Sequence, residues 1–375
     1  MKRILIIGPA YPLRGGIAEF NNSLCLAYKK AGYDCKILSF SLQYPKILFP
    51  GKSQYTNDKR EINCDIVRSV NSVYPISWLK TVKEIKQYNP DYIITAYWIP
   101  FTGISTGFIL SRVKKRFKTL ALAHNIIPHD RKPLDNTITA FFLKQNKGVV
   151  LLSSAVEQEL NRFAPDKPRL VAFHPVYEQF GTRVDRGEAL KKLNLDDGKY
   201  VLFFGLIKKY KGLDVLLKAF ASEKLKKSDI KLIVAGEFYD SKEKYLDIIR
   251  QEGLEDKIVL HEGFVPDSMV KYYFSVADAL ILPYHSATQS GVTQIAYHFD
   301  LPMIASDVGA LPELVPDGKA GFVFEAGKAE QLADAVLRLY DDSNPEMFRK
   351  FVEKEKEKFS WGALVEKIDD FADGL

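Results

Sequence analysis

Three short stretches carry residues whose type and spacing could do polar chemistry on a ligand. Ala123-His124-Asn125-Ile126-Ile127-Pro128-His129-Asp130-Arg131 places two of the six histidines five residues apart. Near neutral pH an imidazole can donate to a sugar hydroxyl or a phosphate oxygen, although a lone strand-end histidine is often a satisfied structural group. Phe203-Phe204-Gly205-Leu206-Ile207-Lys208-Lys209-Tyr210-Lys211-Gly212-Leu213-Asp214 sets three lysines in a glycine-bounded turn. Lysines at such a point can neutralise a diphosphate leaving group, whose charge grows as a glycosidic bond breaks. The alternative is a solvated charge run. Leu282-Pro283-Tyr284-His285-Ser286-Ala287-Thr288-Gln289-Ser290-Gly291-Val292 ends in small residues that open a helix. Exposed amides at that N-terminus form a seat for phosphate.

The paired glycines of Gly8-Pro9-Ala10-Tyr11-Pro12-Leu13-Arg14-Gly15-Gly16-Ile17 add a fourth point, where backbone can approach a ligand before a helix. A flexible strand-to-helix turn would need the same glycines. Gly8 and Gly15 stand too far apart for the dinucleotide pattern G-x-G-x-x-G, so a nicotinamide oxidoreductase loses its main support.

These turns need strands to carry them, and short apolar runs alternate with helix-like segments along the chain, the pattern of βαβ units and a parallel sheet. In the first half the expected strands are Arg3 to Ile7, Asp34 to Phe40, Tyr92 to Ala96, Thr119 to His124 and Gly148 to Ser153. In the second they are Tyr200 to Phe204, Lys231 to Ala235, Ile258 to His261, Ala279 to Leu282, Met303 to Ala305 and Gly321 to Phe324. Periodicity lapses near Phe173-His174-Pro175-Val176-Tyr177 and resumes with a capped helix at Arg186 to Leu193. The expected architecture is α/β, two Rossmann-like doubly wound domains facing across a cleft, over residues 1–175 and 176–359. A terminal helix within 360–375 is expected to cross back onto the first domain.

The 375 residues are 46% hydrophobic and 27% charged, a soluble globular composition without the ~20-residue apolar run that a membrane span needs. The opening apolar run stops at Gly8-Pro9, which suits a strand rather than a signal peptide. Cys25, Cys35 and Cys64 lack zinc-ligand or CxxC spacing and fit packing roles in a reducing compartment, and a cytoplasmic location is expected. Residues 1–180 hold 26 Lys and Arg against 13 Asp and Glu, so the net charge of +6 hides a basic first half and an acidic second. A basic half attracts nucleic acid, an anionic membrane surface or a phosphorylated acceptor. The densest run, Arg112 to Lys118, has no nucleic-acid-reading signature, which leaves a solvated helix end or peripheral membrane docking.

At FFGLIKKYKGLD, LPYHSATQSGV and LPMIASDVGALPELVPDGKAGFVF, supported by GPAYPLRGGIAEF and AHNIIPHD, the chain resembles the family-four, group-one retaining glycosyltransferases of the GT-B fold, in a TQSGV-type subgroup. The resemblance implies a nucleotide diphosphate sugar held mainly by the second domain, with Lys208 and Lys211 on the diphosphate and the amides of Ser290, Gly291 and Val292 assisting. Gly205 would open that turn and Gly263-Phe264-Val265 would line the nucleobase. From the first domain, Gly15 and Gly16 would approach the donor, His124 would contact the sugar near the reacting centre, and Asn125 and His129 would lie on the acceptor side.

Two positions depart from the family pattern. Leu206 stands where many relatives have arginine, leaving Lys208 to supply the charge; Ala287 and Ile295 stand where many carry a pair of glutamates. Thr288, Gln289 and Gln294 are the residues left to take those contacts. The expected reaction is metal-independent transfer with retention, to a saccharide or lipid-linked acceptor in surface-polysaccharide assembly, without cofactor. The sequence has no D-x-D triplet, the usual mark of a metal-dependent sugar-nucleotide site. A sugar-nucleotide epimerase or hydrolase of the same fold and a non-catalytic sugar-nucleotide-binding protein remain alternatives.

Overall fold

The computed structural model describes residues 1–45, 54–56, 62–127, 133–176, 180–287, 290–341 and 345–375. In chain order the first 174 residues hold β1 (Arg3–Ile7), α1 (Gly16–Lys30), β2 (Asp34–Leu42), β3 (Asp65–Asn71), α2 (Pro75–Tyr88), β4 (Tyr92–Tyr97), α3 (Pro100–Ser111), β5 (Lys118–Ala123), α4 (Asp135–Lys144), β6 (Gly148–Leu151), α5 (Ser154–Asn161) and β7 (Arg169–Val171). There follow α6 (Arg186–Leu193), β8 (Lys199–Phe204), α7 (Leu213–Phe220), α8 (Glu223–Lys227), β9 (Ile230–Gly236), α9 (Glu243–Gln251), β10 (Ile258–Glu262), α10 (Asp267–Val276), β11 (Ala279–Leu282), α11 (Gly291–His298), β12 (Met303–Ser306), α12 (Leu311–Leu314), β13 (Gly321–Phe324), α13 (Ala329–Asp341), α14 (Pro345–Glu355) and α15 (Trp361–Asp373). The chain divides into two compact units, Met1–His174 with Ser360–Leu375, and Pro175–Phe359.

The N-terminal unit is a seven-stranded parallel sheet in the order β3-β2-β1-β4-β5-β6-β7. Its central strands are continuous apolar runs because helices cover both faces; Ile4, Leu5, Ile6 and Ile7 are all fully buried. Two edge strands, β3 and β7, had no counterpart in the strand expectations. β3 reads DIVRSVN, mostly half-exposed, and β7 spans only three residues, so neither shows the apolar run that marks a buried strand.

Helix α15 completes this unit. Ser360 caps it by accepting the Ala363 amide at 3.1 Å, and Leu364, Val365, Ile368 and Ala372 bury one face against a cluster that includes Ile4, Ile6, Leu24 and Leu122. Asp369 fixes its register, accepting from Lys2 Nζ at 2.9 Å, Tyr33 Oη at 3.0 Å and Tyr92 Oη at 3.2 Å. Lys118 Nζ donates to the Ala372 carbonyl at 2.8 Å.

The C-terminal unit is a six-stranded parallel sheet in the order β10-β9-β8-β11-β12-β13. Counted within the unit this is 3-2-1-4-5-6, the doubly wound order whose direction of winding reverses between its first and fourth strands. Leu216, Phe220, Leu232, Ile281, Leu332 and Val336 form its core on the α7 and α13 side. No helix among the described residues is long and apolar enough to cross a membrane.

Ile368 is fully buried, so Ile368→Ala should lower the urea-unfolding free energy by about 2–5 kcal/mol. A loss below about 0.5 kcal/mol, the size of an ordinary surface change, would show that α15 is not part of this core.

Candidate functional site

In the C-terminal unit β8 and β11 are neighbours at the point where the strand order reverses, and the turns that leave their C-terminal ends carry the lysines and Ser290 respectively. Gly205 takes φ +98°, and a Cβ there would lie 3.4 Å from Lys211 Nζ and 3.7 Å from Val292 Cγ2. Lys211, only 7% exposed, sends Nζ over the Tyr284 ring at 5.6 Å from its centroid, and Tyr284 Oη lies 3.1 Å from Ser290 Oγ. Gly205, Lys211, Tyr284, Ser290 and Val292 therefore converge on one place.

Lys211 has no carboxylate partner among the described residues. Burial, then the charge of neighbouring Lys208, pushes its ammonium down to about 8. A buried cation without counter-charge is costly, and a bound anion is what removes the cost. Lys208 is half-buried with Nζ 5.2 Å from the Tyr239 ring centroid. Lys209 points its amide at the Asp240 carboxylate and its side chain is exposed.

Ser290 is the N-cap of α11, yet its side chain does not cap the helix; its hydroxyl is engaged by Tyr284. The Thr293 amide donates to the Ser290 carbonyl at 3.2 Å, whereas the Gly291 and Val292 amides have no acceptor among the described residues; Gly291 is exposed, so these N–H groups and the helix dipole favour an anion in the same direction. The loop before α11 is held from several sides. Ser306 Oγ donates to the Tyr284 carbonyl at 2.7 Å, His285 N donates to the Tyr210 carbonyl at 2.8 Å, and His285 Nε2 meets Asp214 Oδ1 at 3.2 Å. Gly309, at φ +56°, leaves no room for a side chain, since a Cβ would lie 1.8 Å from the Ala287 carbonyl oxygen.

Of the residues weighed as substitutes for the glutamate pair, Gln294 is 2% exposed and its Oε1 has no partner among the described residues. Ile295 is buried, and Thr288 and Gln289 lie outside the described residues. Phe264 is 73% exposed and Val265 half-buried, just past β10 and two strands from β8 on the same edge of the sheet.

The N-terminal unit presents its own set at the C-terminal ends of β1 and β5. The loop after β1 is pinned by Ala10 N to Ser39 Oγ at 3.0 Å, Asn21 Nδ2 to the Pro9 carbonyl at 2.8 Å and Tyr11 N to Asn22 Oδ1 at 3.2 Å. It ends in Gly15, at φ +118° and N-capping α1; ideal Cβ atoms at Gly15 and Gly16 would meet nothing within 4 Å. Beside Tyr11 and Pro12 opens a cavity of about 710 Å³ whose wall includes Asn63, Cys64 and Arg68.

His124 N donates to the Tyr97 carbonyl at 2.9 Å, and the imidazole stands edge-on to Phe20 with centroids 4.9 Å apart. Its Nε2 is buried without a hydrogen-bond partner among the described residues. Burial, with a smaller push from His174, lowers its pKa to about 3, so this ring is neutral throughout the physiological range. The chain after it is set by Glu159, whose Oε2 accepts the Ile126 and Ile127 amides, each at 3.0 Å. Asn125 is half-buried, and His129 lies outside the described residues. No cluster of potential metal ligands is present among the described residues.

Residues 198–342, which contain Gly205, both inward lysines and the start of α11, match the model of the family described as glycosyl transferases group 1. Over that stretch, which is less than half of its length, the chain is similar to the group 1 glycosyl transferases. Two relatives place the match in context. An alpha-D-kanosaminyltransferase of Streptomyces kanamyceticus is 24% identical over 56% of this chain and 55% of its own length. A D-inositol 3-phosphate glycosyltransferase of Arthrobacter sp. (strain FB24) is 27% identical over 71% of this chain and 67% of its own. The chain thus spans about half to two thirds of the length of these curated relatives. Among solved structures, a glycosyltransferase from Rickettsia africae ESF-5 superposes with TM-score 0.74 at 19% identity, covering 100% of this chain and 98% of that one. Anabaena Alr3699/HepE in complex with UDP and glucose gives 0.71 at 15% identity, with full coverage of both. At that identity these structures show the shared fold, two parallel-sheet α/β domains of the GT-B type.

The sequence pattern did not single out Tyr284, Ser306, Gly309, Asn21, Asn22 or Glu159. The first three fix the α11 loop and the others fix the turns after β1 and β5 by contacts that no local pattern reveals.

The depressed Lys211 pKa sets a pH dependence. The site is cationic below about 8 and loses that charge above it. Inorganic pyrophosphate should therefore raise the melting temperature at pH 7 and do so progressively less as pH climbs through 8 to 9. A Lys211→Met variant should show a smaller shift without that fall, and an unchanged pH dependence in the variant would assign the anion to another cation. His124 gives the opposite expectation: no ionisation between pH 5 and 8 should arise from it, so its imidazole NMR shifts should stay constant over that range.

Proposed function

We propose that the protein is a retaining, metal-independent glycosyltransferase, moving a sugar from a nucleoside diphosphate sugar to a saccharide or lipid-linked acceptor in cell-surface polysaccharide assembly. The observation that carries this reading is Lys211, buried without a counter-charge beside Lys208 and the open amides of α11. That arrangement is suited to the two negative phosphates of a leaving nucleoside diphosphate. Its contribution would grow as the bond breaks, because charge then accumulates on the diphosphate oxygens. With lysines and helix amides in this role, charge neutralisation needs no cation. The related Anabaena protein, described with UDP and glucose, supports a nucleoside diphosphate as donor carrier.

In the step itself the bond from the anomeric carbon to the diphosphate oxygen breaks and a bond to the acceptor oxygen forms on the same face. The acceptor hydroxyl proton passes to a diphosphate oxygen, so the departing group serves as base. Neutral His124, whose Nε2 has no partner among the described residues, would hydrogen-bond a sugar hydroxyl, and Gly15 and Gly16 leave backbone of the same unit open to a ligand. Phe264 and Val265 would lie against the base. The acceptor would use the N-terminal unit, where the cavity beside Tyr11 and Pro12 offers Asn63 and Arg68 to hydroxyl or phosphate groups. Asn125 and His129 belong to the same side in this reading.

A basic first half suits an acceptor carried on an anionic membrane surface. Within the run at 112–118, Lys114, Arg116 and Lys118 bond the Lys144 carbonyl, Asn89 and the Ala372 carbonyl, which leaves Arg112 and Lys115 exposed and without a side-chain hydrogen bond among the described residues. On α2, Ile76 and Leu79 are exposed alongside Lys80 and Lys83. Binding to vesicles containing anionic phospholipid should weaken as salt rises and fall in a variant neutralising Arg112, Lys115, Lys80 and Lys83 together. Undiminished binding by that variant would remove the docking reading.

The catalytic reading is tested by Lys211→Ala. Product formation from a nucleotide sugar and acceptor should fall on the order of 10²–10³-fold with circular dichroism unchanged. Transfer near the wild-type rate would discard the assignment. Sugar release or isomerisation from donor alone, with no acceptor product, would point to a hydrolase or epimerase instead.

A further inference from the structure

The C-terminal unit carries a second basic cavity, at the opposite end of its sheet. Gly198 and Lys199 at the start of β8 and Asp278 just before β11 line it, so it lies at the strand N-termini, whereas Lys208, Lys211 and Ser290 follow the C-termini. A strand of six residues separates the two ends of β8 by about 20 Å. The cavity measures about 320 Å³, and its wall includes four cations, Arg183, Arg186, Lys199 and Arg349, against two carboxylates, Asp278 and Glu346.

Pairing inside the cavity leaves two guanidinium groups short of counter-charge. Asp278 is fully committed: Oδ1 to Arg186 Nη1 at 3.1 Å, and Oδ2 to Tyr200 N at 3.0 Å and Tyr340 Oη at 2.9 Å. Lys199 is balanced by Asp229 at 3.0 Å. Arg183 is exposed and has no ion pair or hydrogen bond among the described residues. Arg349 is 5% exposed; Nη2 donates to the Ala277 carbonyl at 2.6 Å, Nε lies a long 3.8 Å from Glu346, and Nη1 is buried with no partner among the described residues. Burial first, and then the charge of Arg183, pull the Arg349 guanidinium down to about 10, so the two cations act on each other across this space.

A buried, incompletely bonded guanidinium beside an unpaired one is an unfavourable arrangement unless an anion joins them, and planar guanidinium groups match the oxygens of a phosphate. We propose that this cavity is a binding site for a phosphate dianion, either free or as the head of a small phosphomonoester, held by Arg183 and Arg349 with Arg186 behind them. It is separate from the diphosphate seat, and its three arginines all lie outside residues 198–342, the stretch that carries the family match. The site gives the C-terminal unit a means of responding to a phosphorylated small molecule independently of its donor.

The test is thermal unfolding of the full chain in sodium phosphate against sodium chloride of equal ionic strength, with glycerol phosphate as a second arm. Arg183→Gln is the informative variant, because that side chain is exposed and its loss should not disturb folding. Lys211→Ala, which lacks the other anion-binding cation, should keep a saturable rise in melting temperature, and Arg183→Gln introduced into that background should lose most of it. Arg349→Gln in the same background, if it folds, should lose it as well. A larger response to glycerol phosphate than to phosphate at equal concentration would identify a monoester as the ligand; equal responses would identify free phosphate. No rise in wild type, a rise abolished by Lys211→Ala, or a rise kept when Arg183→Gln is added to Lys211→Ala would each overturn the proposal.

Discussion

The ammonium of Lys211 is the constraint on which the donor half of this molecule depends. A lysine side chain normally keeps its charge in water and buries only its stem. Here the charged end is drawn under the surface, over an aromatic ring and beside a second lysine, with no carboxylate among the described residues to offset it. The fold can hold such a group only because the turn after β8 has glycine at φ +98° and the neighbouring helix begins with small residues, leaving room for another molecule's negative charge. The energetic debt in the empty protein is the driving force for binding an anion.

The rest of the C-terminal unit follows from positioning that charge. The reversal of strand order between β8 and β11 separates their outgoing chains, one of which brings Lys208 and Lys211 and the other Tyr284 and Ser290. Tyr284 links them, with its ring under the ammonium and its hydroxyl on the N-cap serine. Ser306 at the end of β12 and Gly309 in the turn after it brace the Tyr284 and Ala287 carbonyls, so three neighbouring strand ends meet around Lys211 and the start of α11. In the N-terminal unit His124 is treated in the reverse manner: burial removes its capacity for charge and leaves a neutral hydrogen-bonding edge.

Much of this was legible in the residues. Strands that read as uninterrupted apolar runs stand out, so eleven of the thirteen among the described residues were visible, and the turns after them announced themselves through glycine, lysine and small residues. Edge strands β3 and β7 were not, because an edge is half-solvated and its pattern blends with loop. The lateral order of strands was also hidden, since a parallel βαβ sequence is compatible with several windings. Within the site, spacing could place Lys211 after a strand but could not say that it was buried or that Tyr284 lay beneath it, because both are consequences of chain segments about seventy residues apart. The arginine cavity at the other end of the sheet was equally invisible: Arg183, Arg186 and Arg349 occur singly in unremarkable sequence and meet only through packing against the segment before β11.

The central claim concerns a proton as much as a charge. Burial, then the charge of Lys208, pushes the Lys211 ammonium down to about 8, so it is partly deprotonated at pH 8, and an arriving diphosphate should draw it toward the ammonium form. Calorimetric titration of a nucleoside diphosphate at pH 8, repeated in buffers of different ionisation enthalpy, counts that proton. Net proton uptake on binding, absent in Lys211→Met, is the result expected. Binding with no proton uptake, or with the same uptake in the variant, would contradict the role given to this lysine.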